Sequence, residues 1–516
     1  MKKIIAMGAA VALAASMFAA EPVANPQVLE FKGNASVEWG VDLDAGKTGF
    51  KNAQEASIKA KLFDGGDKAT SGDGVWAELK IVADTKDNEY KNEADGSVNI
   101  KAPKVDTAKI HINNFYVGIQ SGDTVTGEFK PQAAIVSDKA WLGNVGPEKF
   151  TQGLVFGYDD SNIAAAVDFR SFADTSTQYT NAYAIAAEAT MKDANEWVEG
   201  LEVKGGVSYN LSKNYYKSDA GVATKAPVIA DIKIDGVEAS VDNEIGYSTS
   251  VAYKVSLNDK YYVKPMAGFV GTVDKGKVTS WDFTNVSNEF VASVLFGWGA
   301  QADANAGVPF LDGDDAKKVT PGVSVVFTMP LPTKETIDSP IGSYDVSTYG
   351  RDIAKIVPSI YSGDIVDGLK FGAYSEIILM RDEAEVGSDY EKKACKNKDR
   401  ATAIAIAAGA SYDVKAGDVT ITTKAGARYA NKAYVENDFI DKKEGKEVGL
   451  FKDLGYAKDD EGYLNLKIGA DINGLLDNTT FFVNYTSANL LNETDYDGDY
   501  YAVKAGTLNV GAKIHF

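Results

Sequence analysis

The last ten residues constrain the fold more than any other stretch. Leu508, Val510, Ala512, Ile514 and Phe516 alternate with Thr507, Asn509, Gly511, Lys513 and His515, so an extended strand has one apolar and one polar face up to the terminal carboxylate. Combined with an export signal at the other end, this predicts an antiparallel transmembrane β-barrel whose strands alternate apolar-out and polar-in, with the terminal strand closing it.

The export signal is the segment 1–20. Lys2 and Lys3 precede an apolar run from Ile4 to Phe18, and small residues at Ala19 and Ala20 precede Glu21 and Pro22, which predicts a cleaved signal peptide. The run falls short of the roughly 20 residues a spanning helix needs. No cysteine lies near it to carry a lipid. Cys395 is the sole cysteine, so no intramolecular disulfide can form, and it reads as an exposed loop thiol.

Charge excludes one class of partner. With 53 Lys and Arg against 73 Asp and Glu the net charge is −20, the wrong sign for nucleic acid. No second apolar run is long enough for a helix to cross a membrane, which leaves a closed barrel as the only way across.

From residue 35 onward, alternating segments are separated by turns rich in Gly, Asp, Asn and Lys. Leu201, Val203, Gly205, Val207, Tyr209 and Leu211 oppose Glu202, Lys204, Gly206, Ser208 and Asn210, a length near the roughly 9–11 residues of a tilted membrane strand. Hairpins are predicted through Asn258–Asp259 and through Lys415–Asp418. Tight turns share one side of such a barrel, so an even number of strands must separate them. The readable strands between Asn258 and Lys415, and from Asp159 back to the N-terminus, are odd in number. One further strand is therefore expected at Thr279–Phe283 and one within Gln120–Gln152, for an all-β barrel of about 18–22 strands. Segments 213–242, 331–367, 381–401, 431–462 and 487–505 become long loops.

No catalytic, cofactor or metal constellation emerges. His111 and His515 are the only histidines, and no H-E-x-x-H, P-loop or G-x-G-x-x-G occurs. Asp495, Asp497 and Asp499 mimic a calcium loop, but its twelfth position is Gly506 where a carboxylate is required. What remains is the polar face. The candidates to line a lumen are Glu38, Asp42, Lys59, Lys61, Glu78, Lys80, Asp168, Arg170, Glu202, Lys204, Lys254, Lys424, Arg428, Lys467, Asp471 and Lys513. Both signs occur there, and barrels of 16 to 18 strands already leave an aqueous channel. The expected function is passive, weakly selective diffusion of small hydrophilic solutes. The rival expectation is a surface adhesin or sheath protein for which the barrel is only an anchor.

The segment Ala35-Ser36-Val37-Glu38-Trp39-Gly40-Val41-Asp42-Leu43-Asp44, followed by Thr48-Gly49-Phe50-Lys51-Asn52, resembles the N-terminal signature of the treponemal major outer sheath proteins, also called major surface proteins, and of the related repeat proteins of that genus. The strand running from Ala108 to Tyr116 and the signal peptide are similar too. The resemblance implies a spirochaete outer-membrane porin, often a homo-oligomer, whose loops bind host matrix proteins. It also implies two conventional regions, 21–230 and 231–516, of which the alternation places the first in the same barrel as the second. The expected partners are outer-membrane lipid, the barrel assembly machinery through the C-terminal strand, and host matrix proteins.

Overall fold

A sheet whose outer face is apolar throughout is stable in lipid only when no edge is left unpaired. A computed structural model describes residues 29–43, 46–62, 75–84, 104–120, 130–136, 152–171, 182–212, 217–219, 222–224, 231–234, 237–278, 281–303, 307–311, 316, 318–339, 342–348, 352–363, 365–380, 402–436, 462–487, 489–491 and 506–515. Within them, 20 antiparallel strands close into one barrel. The staves are β1 (Leu29–Asp42), β2 (Lys47–Leu62), β3 (Val75–Asp84), β4 (Lys104–Ile112), β5 (Phe115–Gln120), β6 (Gln152–Asp159), β7 (Ile163–Ser171), β8 (Ala182–Met191), β9 (Leu201–Ser212) and β10 (Val237–Tyr253). They continue as β11 (Tyr262–Val278), β12 (Trp281–Gly297), β13 (Gly322–Pro330), β14 (Asp352–Tyr361), β15 (Leu369–Met380), β16 (Ala403–Ala416), β17 (Val419–Ala430), β18 (Tyr463–Asn473), β19 (Thr479–Thr486) and β20 (Thr507–His515).

Each stave pairs with the next, and β20 returns to β1 with Val510 opposite Trp39 and Ile514 opposite Ala35. The apolar rows face outward: Trp39, Ile185, Val207, Val251, Ile406 and Val510 are large hydrophobic side chains left exposed. Among the described residues no helix is long and apolar enough to cross a membrane, so the strands carry the crossing.

The all-β barrel and its strand range are as expected, but two staves lie elsewhere. The segment read as one strand from Ala108 to Tyr116 is a hairpin, in which β4 turns through Asn113 and Asn114 into β5. Asn113 has φ 53°, a left-handed conformation that asparagine tolerates better than most residues. This turn restores the parity; among the described residues of Gln120–Gln152 the only strand is the short Ile135–Val136, which is not a stave. Trp281–Phe283 begin β12 and are not a separate stave. The strand missing from that side is β14, inside the segment 331–367 expected to be a loop. Pro358 concealed it, since proline cannot donate to a ladder. The pairing of β14 with β15 passes from Ile356 opposite Ile377 to Ser359 opposite Tyr374, leaving Pro358 unpaired on that side, while on the other side it stands opposite Val325 of β13.

One other expected loop, 213–242, holds strand as well. Asp231–Ile234 lies antiparallel to the first residues of β10, and Lys217–Asp219 pairs with Val222–Thr224. β10, β11 and β12 are 17 residues each, longer than the roughly 9–11 residues that span a bilayer. Thr333–Ser339 pairs with the start of β12 and with Gly342–Thr348, extending the same wall. The signal segment, Cys395, the loop 381–401, Asp495, Asp497, Asp499 and Phe516 lie outside the described residues.

The short turns are built by side chains that replace backbone partners. At the β6–β7 turn Asp160 accepts from the Tyr158 hydroxyl at 2.7 Å and from the N–H groups of Ile163 and Asn162 at 2.7 and 2.8 Å. These donors hold its carboxyl below the usual carboxylate range, the tyrosine bond contributing most. Between β8 and β9, Asn195 is buried, donates to the carbonyls of Lys192, Val198 and Leu201, and accepts from the N–H groups of Trp197 and Val198. Asn195→Ala orphans several of these groups at once and is expected to cost on the order of 1–3 kcal/mol. In urea unfolding of the refolded barrel, exposed Glu196→Ala should stay close to the unsubstituted protein while Asn195→Ala unfolds earlier.

Candidate functional site

The inward positions of β12 to β17 include a band of small side chains: Ser293, Ser324 and Ser359 on β12 to β14, Gly372 on β15, Ala403, Ala405, Ala407 and Gly409 on β16, and Gly426 on β17. Small residues let another chain segment approach the wall closely, and two segments do. From the β5–β6 connection, residues 130–136 enter the barrel. Their backbone is held by the serine row, with Gln132 N–H donating to Ser293 Oγ at 3.0 Å, Ala134 N–H to Ser324 Oγ at 2.8 Å and Ile135 N–H to Ser359 Oγ at 3.3 Å. Ser324 and Ser359 also hydrogen-bond each other at 2.7 Å.

From the opposite end, the β12–β13 connection sends in residues 298–303, 307–311, 316 and 318–321. Lys318–Val319 pairs with Ile135–Val136 on one side and with Ala302–Asp303 on the other, a small three-stranded sheet inside the barrel. Val308 to Leu311 lie on the glycine row so closely that a Cβ at Gly409 would stand 2.3 Å from the Pro309 carbonyl oxygen, and one at Gly372 would stand 2.2 Å from Leu311 Cδ1. Arg428 on β17 stacks its guanidinium 4.1 Å from the Phe310 ring centre. The helical turn α1 (Lys432–Glu436) closes over this cluster, and the buried Tyr434 hydroxyl donates to Glu376 Oε2 at 2.7 Å. The main apolar core of the protein is thus inside the barrel, formed by Ile135, Val308, Phe310, Leu311 and Val319 against Tyr374, Ile378 and the alanine row.

The rest of the wall is charged. On β2 to β5, Lys59 Nζ is 2.8 Å from Glu78 Oε1, His111 stacks on Trp76 with ring centres 3.7 Å apart, and Lys109 lies 4.7 Å from the Tyr116 ring. Lys80 shares this inward row, and Lys61 has the same register parity opposite Glu78. Glu38 and Asp42 on β1, Lys467 and Asp471 on β18 and Lys513 on β20 have inward parity, and Lys424 Nζ is 2.7 Å from Asp471 Oδ1. Asp168 and Arg170 form a 2.7 Å pair that is almost wholly buried. Glu202 joins Lys204 at 3.0 Å and Lys264 at 2.8 Å, and Lys264 also reaches Asp193 at 3.0 Å. Lys254 sits at the rim over Tyr262.

Asp168, Arg170 and Arg428 therefore turn inward yet are shut off from solvent. Lys264, Glu376 and the two infolded segments were not anticipated. The apolar runs Ala133–Val136 and Val308–Leu311, placed in connections, were the available signal. Among the described residues no group of three or more His, Cys, Asp or Glu gathers as a metal site.

A closed cylinder of this size, apolar outside and polar or packed within, defines an outer-membrane β-barrel protein. No family model matches the chain. Along its whole length the chain is similar to major surface protein MspTL of Treponema lecithinolyticum, 27% identical over 100% of both chains, and to major outer membrane protein MspA of Treponema maltophilum, 28% identical over 100% of both. The likeness read in residues 35–52 is thus part of a similarity to treponemal surface proteins that runs the full length of the chain. Among solved structures the chain is similar to OccAB1 of Acinetobacter baumannii, with TM-score 0.36 and 10% identity over 95% of this chain and 96% of that one. OmpT of Vibrio cholerae scores 0.35 at 8% identity over 96% and 99%. The barrel itself rests on its own strand pairings.

Proposed function

We propose that the protein is a diffusion pore for small hydrophilic solutes, narrowed on one side by residues 130–136, 307–311 and 318–321. The observation that carries this reading is the asymmetry of the wall. β12 to β17 and the first residues of β18 are covered by apolar infolded chain, whereas the inward rows of β1 to β4, of β18 from Lys467 onward and of β19 and β20 carry Glu38, Lys59, Glu78, Lys80, Lys467, Asp471 and Lys513 with no described infolded segment packed on them. A polar inner wall in a cylinder this wide is stable when hydrated. Mixed signs along it predict weak ion selectivity.

A second reading is favoured by the apolar filling and by the projecting wall of β10 to β12. In it the barrel is an anchor, and the extended strands and loops contact host proteins. Homo-oligomerisation, and recognition of β20 by the assembly machinery, belong to both readings. Planar-bilayer recording of the refolded full chain separates the two. Discrete current steps with a reversal potential close to zero in a salt gradient support the pore. A heat-modifiable, closed barrel that never conducts rejects the pore in favour of the anchor.

A further inference from the structure

The chain has two histidines, and one of them is built into the charged wall. His111 lies two residues before the β4–β5 turn, in register between Trp76 on β3 and Tyr116 on β5, and its neighbours Ile110 and Ile112 are exposed on the outward face. Its ring is within 5° of parallel to Trp76, with centres 3.7 Å apart, and lies 5.5 Å from the Tyr116 ring. This packing fixes where the ring nitrogens point. Nε2 is shut off from solvent, has no hydrogen-bond partner in the protein, and stands 3.8 Å from Glu78 Oε2. That gap is too long for a hydrogen bond.

The other groups around the ring are mostly cations. Lys59 on β2 holds the second oxygen of Glu78 at 2.8 Å, and Lys109 on β4 stands opposite Glu78 with its ammonium 4.7 Å from the Tyr116 ring centre. Lys80 lies two residues along β3, and Lys61 on β2 is opposite Glu78 in register. Among these groups Glu78 is the sole acid. A buried nitrogen with nothing to bond is destabilising and calls for a reason. The charged imidazole donates from both nitrogens, and a carboxylate already stands in line with Nε2.

We infer that His111 is a specificity-determining residue of the pore, and that its protonation sets how strongly the lumen prefers anions. Between about pH 7.5 and 5.5 an ordinary imidazole passes from neutral to charged while lysine and tyrosine keep their states. A proton on Nε2 converts the gap to Glu78 Oε2 into a charge-assisted hydrogen bond. Glu78 is then shared between two cations, and Lys59, whose side chain is 43% exposed, is left freer to act on passing ions. This end of the lumen gains one positive charge. The role presupposes the pore proposed above.

The test is the reversal potential of the refolded full chain in planar bilayers under a gradient of dilute potassium chloride, where screening extends over roughly 10–30 Å. From about pH 7.5 to 5.5 the chloride-to-potassium permeability ratio is expected to rise about twofold, and His111→Gln should flatten the rise. His515→Gln removes the other histidine, exposed at the end of β20, and Asp274→Asn removes a carboxylate opposite Glu244 on the β10–β11 ladder. Both should keep the rise. A second readout needs no conduction: a protonated imidazole stacked on an indole quenches it, so tryptophan emission should fall over the same pH range. That fall should vanish in Trp76→Phe and in His111→Gln. A pore whose ratio ignores pH, or whose rise survives in His111→Gln, overturns the role of His111 and leaves the pore standing. A protein that shows the quenching but never conducts rejects the pore, and this role with it. Should His111→Gln not refold, His111→Asn carries the same comparison.

Discussion

With lysine in place of Val510, the refolded barrel is expected to lose about 2–4 kcal/mol, the cost of a cation on the lipid face near mid-membrane. Val510 lies in the middle of β20, between Trp39 on β1 and Val483 on β19, and all three are outward and exposed. A lysine there meets hydrocarbon on every side, with no carboxylate in the outward rows around it. Asn509, one residue earlier, has inward parity and stands opposite Gly40 and Asn484. Lysine at position 509 faces the charged, hydrated wall and should cost a small fraction of that amount. Reversible urea unfolding in lipid vesicles measures both variants. Equal costs at 509 and 510 would mean that the two faces of β20 see the same medium, and the assignment of outside and inside would fail for the whole barrel.

The same two-residue rhythm is what made the fold legible. In β9 the outward row from Leu201 to Leu211 and the inward row from Glu202 to Asn210 could be written down before any coordinates, because in a membrane barrel parity alone decides whether a side chain meets lipid. The failures came where the rhythm was masked. Asn113 and Asn114 turn the chain with two residues, neither of them glycine, so β4 and β5 merged into one apparent strand. Pro358 interrupted the ladder of β14, and the strand passed for loop.

The candidate site was legible by parity but not by environment. Glu78 and Arg428 have the same inward parity, yet the first borders a charged wall and the second lies against Phe310. That difference is set by residues far away in the chain, in connections whose path no strand periodicity predicts. It was nevertheless foreshadowed in composition. An inward row reading Ala403, Ala405, Ala407, Gly409 is too small and too apolar for a water-lined wall, and in the connections Val308-Pro309-Phe310-Leu311 is too apolar for a solvated turn. Two apolar surfaces without lipid to cover them must meet each other.

That meeting can be broken at a single atom. Valine at position 409 would put its Cβ 2.3 Å from the Pro309 carbonyl oxygen, backbone that cannot rotate away. Overpacking of this kind costs typically about 1–3 kcal/mol, and here the strain can be relieved by lifting residues 308–311 off the wall while the β15–β16 and β16–β17 ladders stay intact. Gly409→Val is therefore expected to leave a closed, heat-modifiable barrel whose infolded segment becomes open to trypsin near Lys318, and whose single-channel conductance rises severalfold. Ala410→Val, the next residue and outward-facing, is the matched control and should change neither. If Gly409→Val conducts like the unsubstituted protein while its segment is cleaved, the segment does not limit the pore. If the segment also stays resistant, residues 308–311 do not rest on the glycine row.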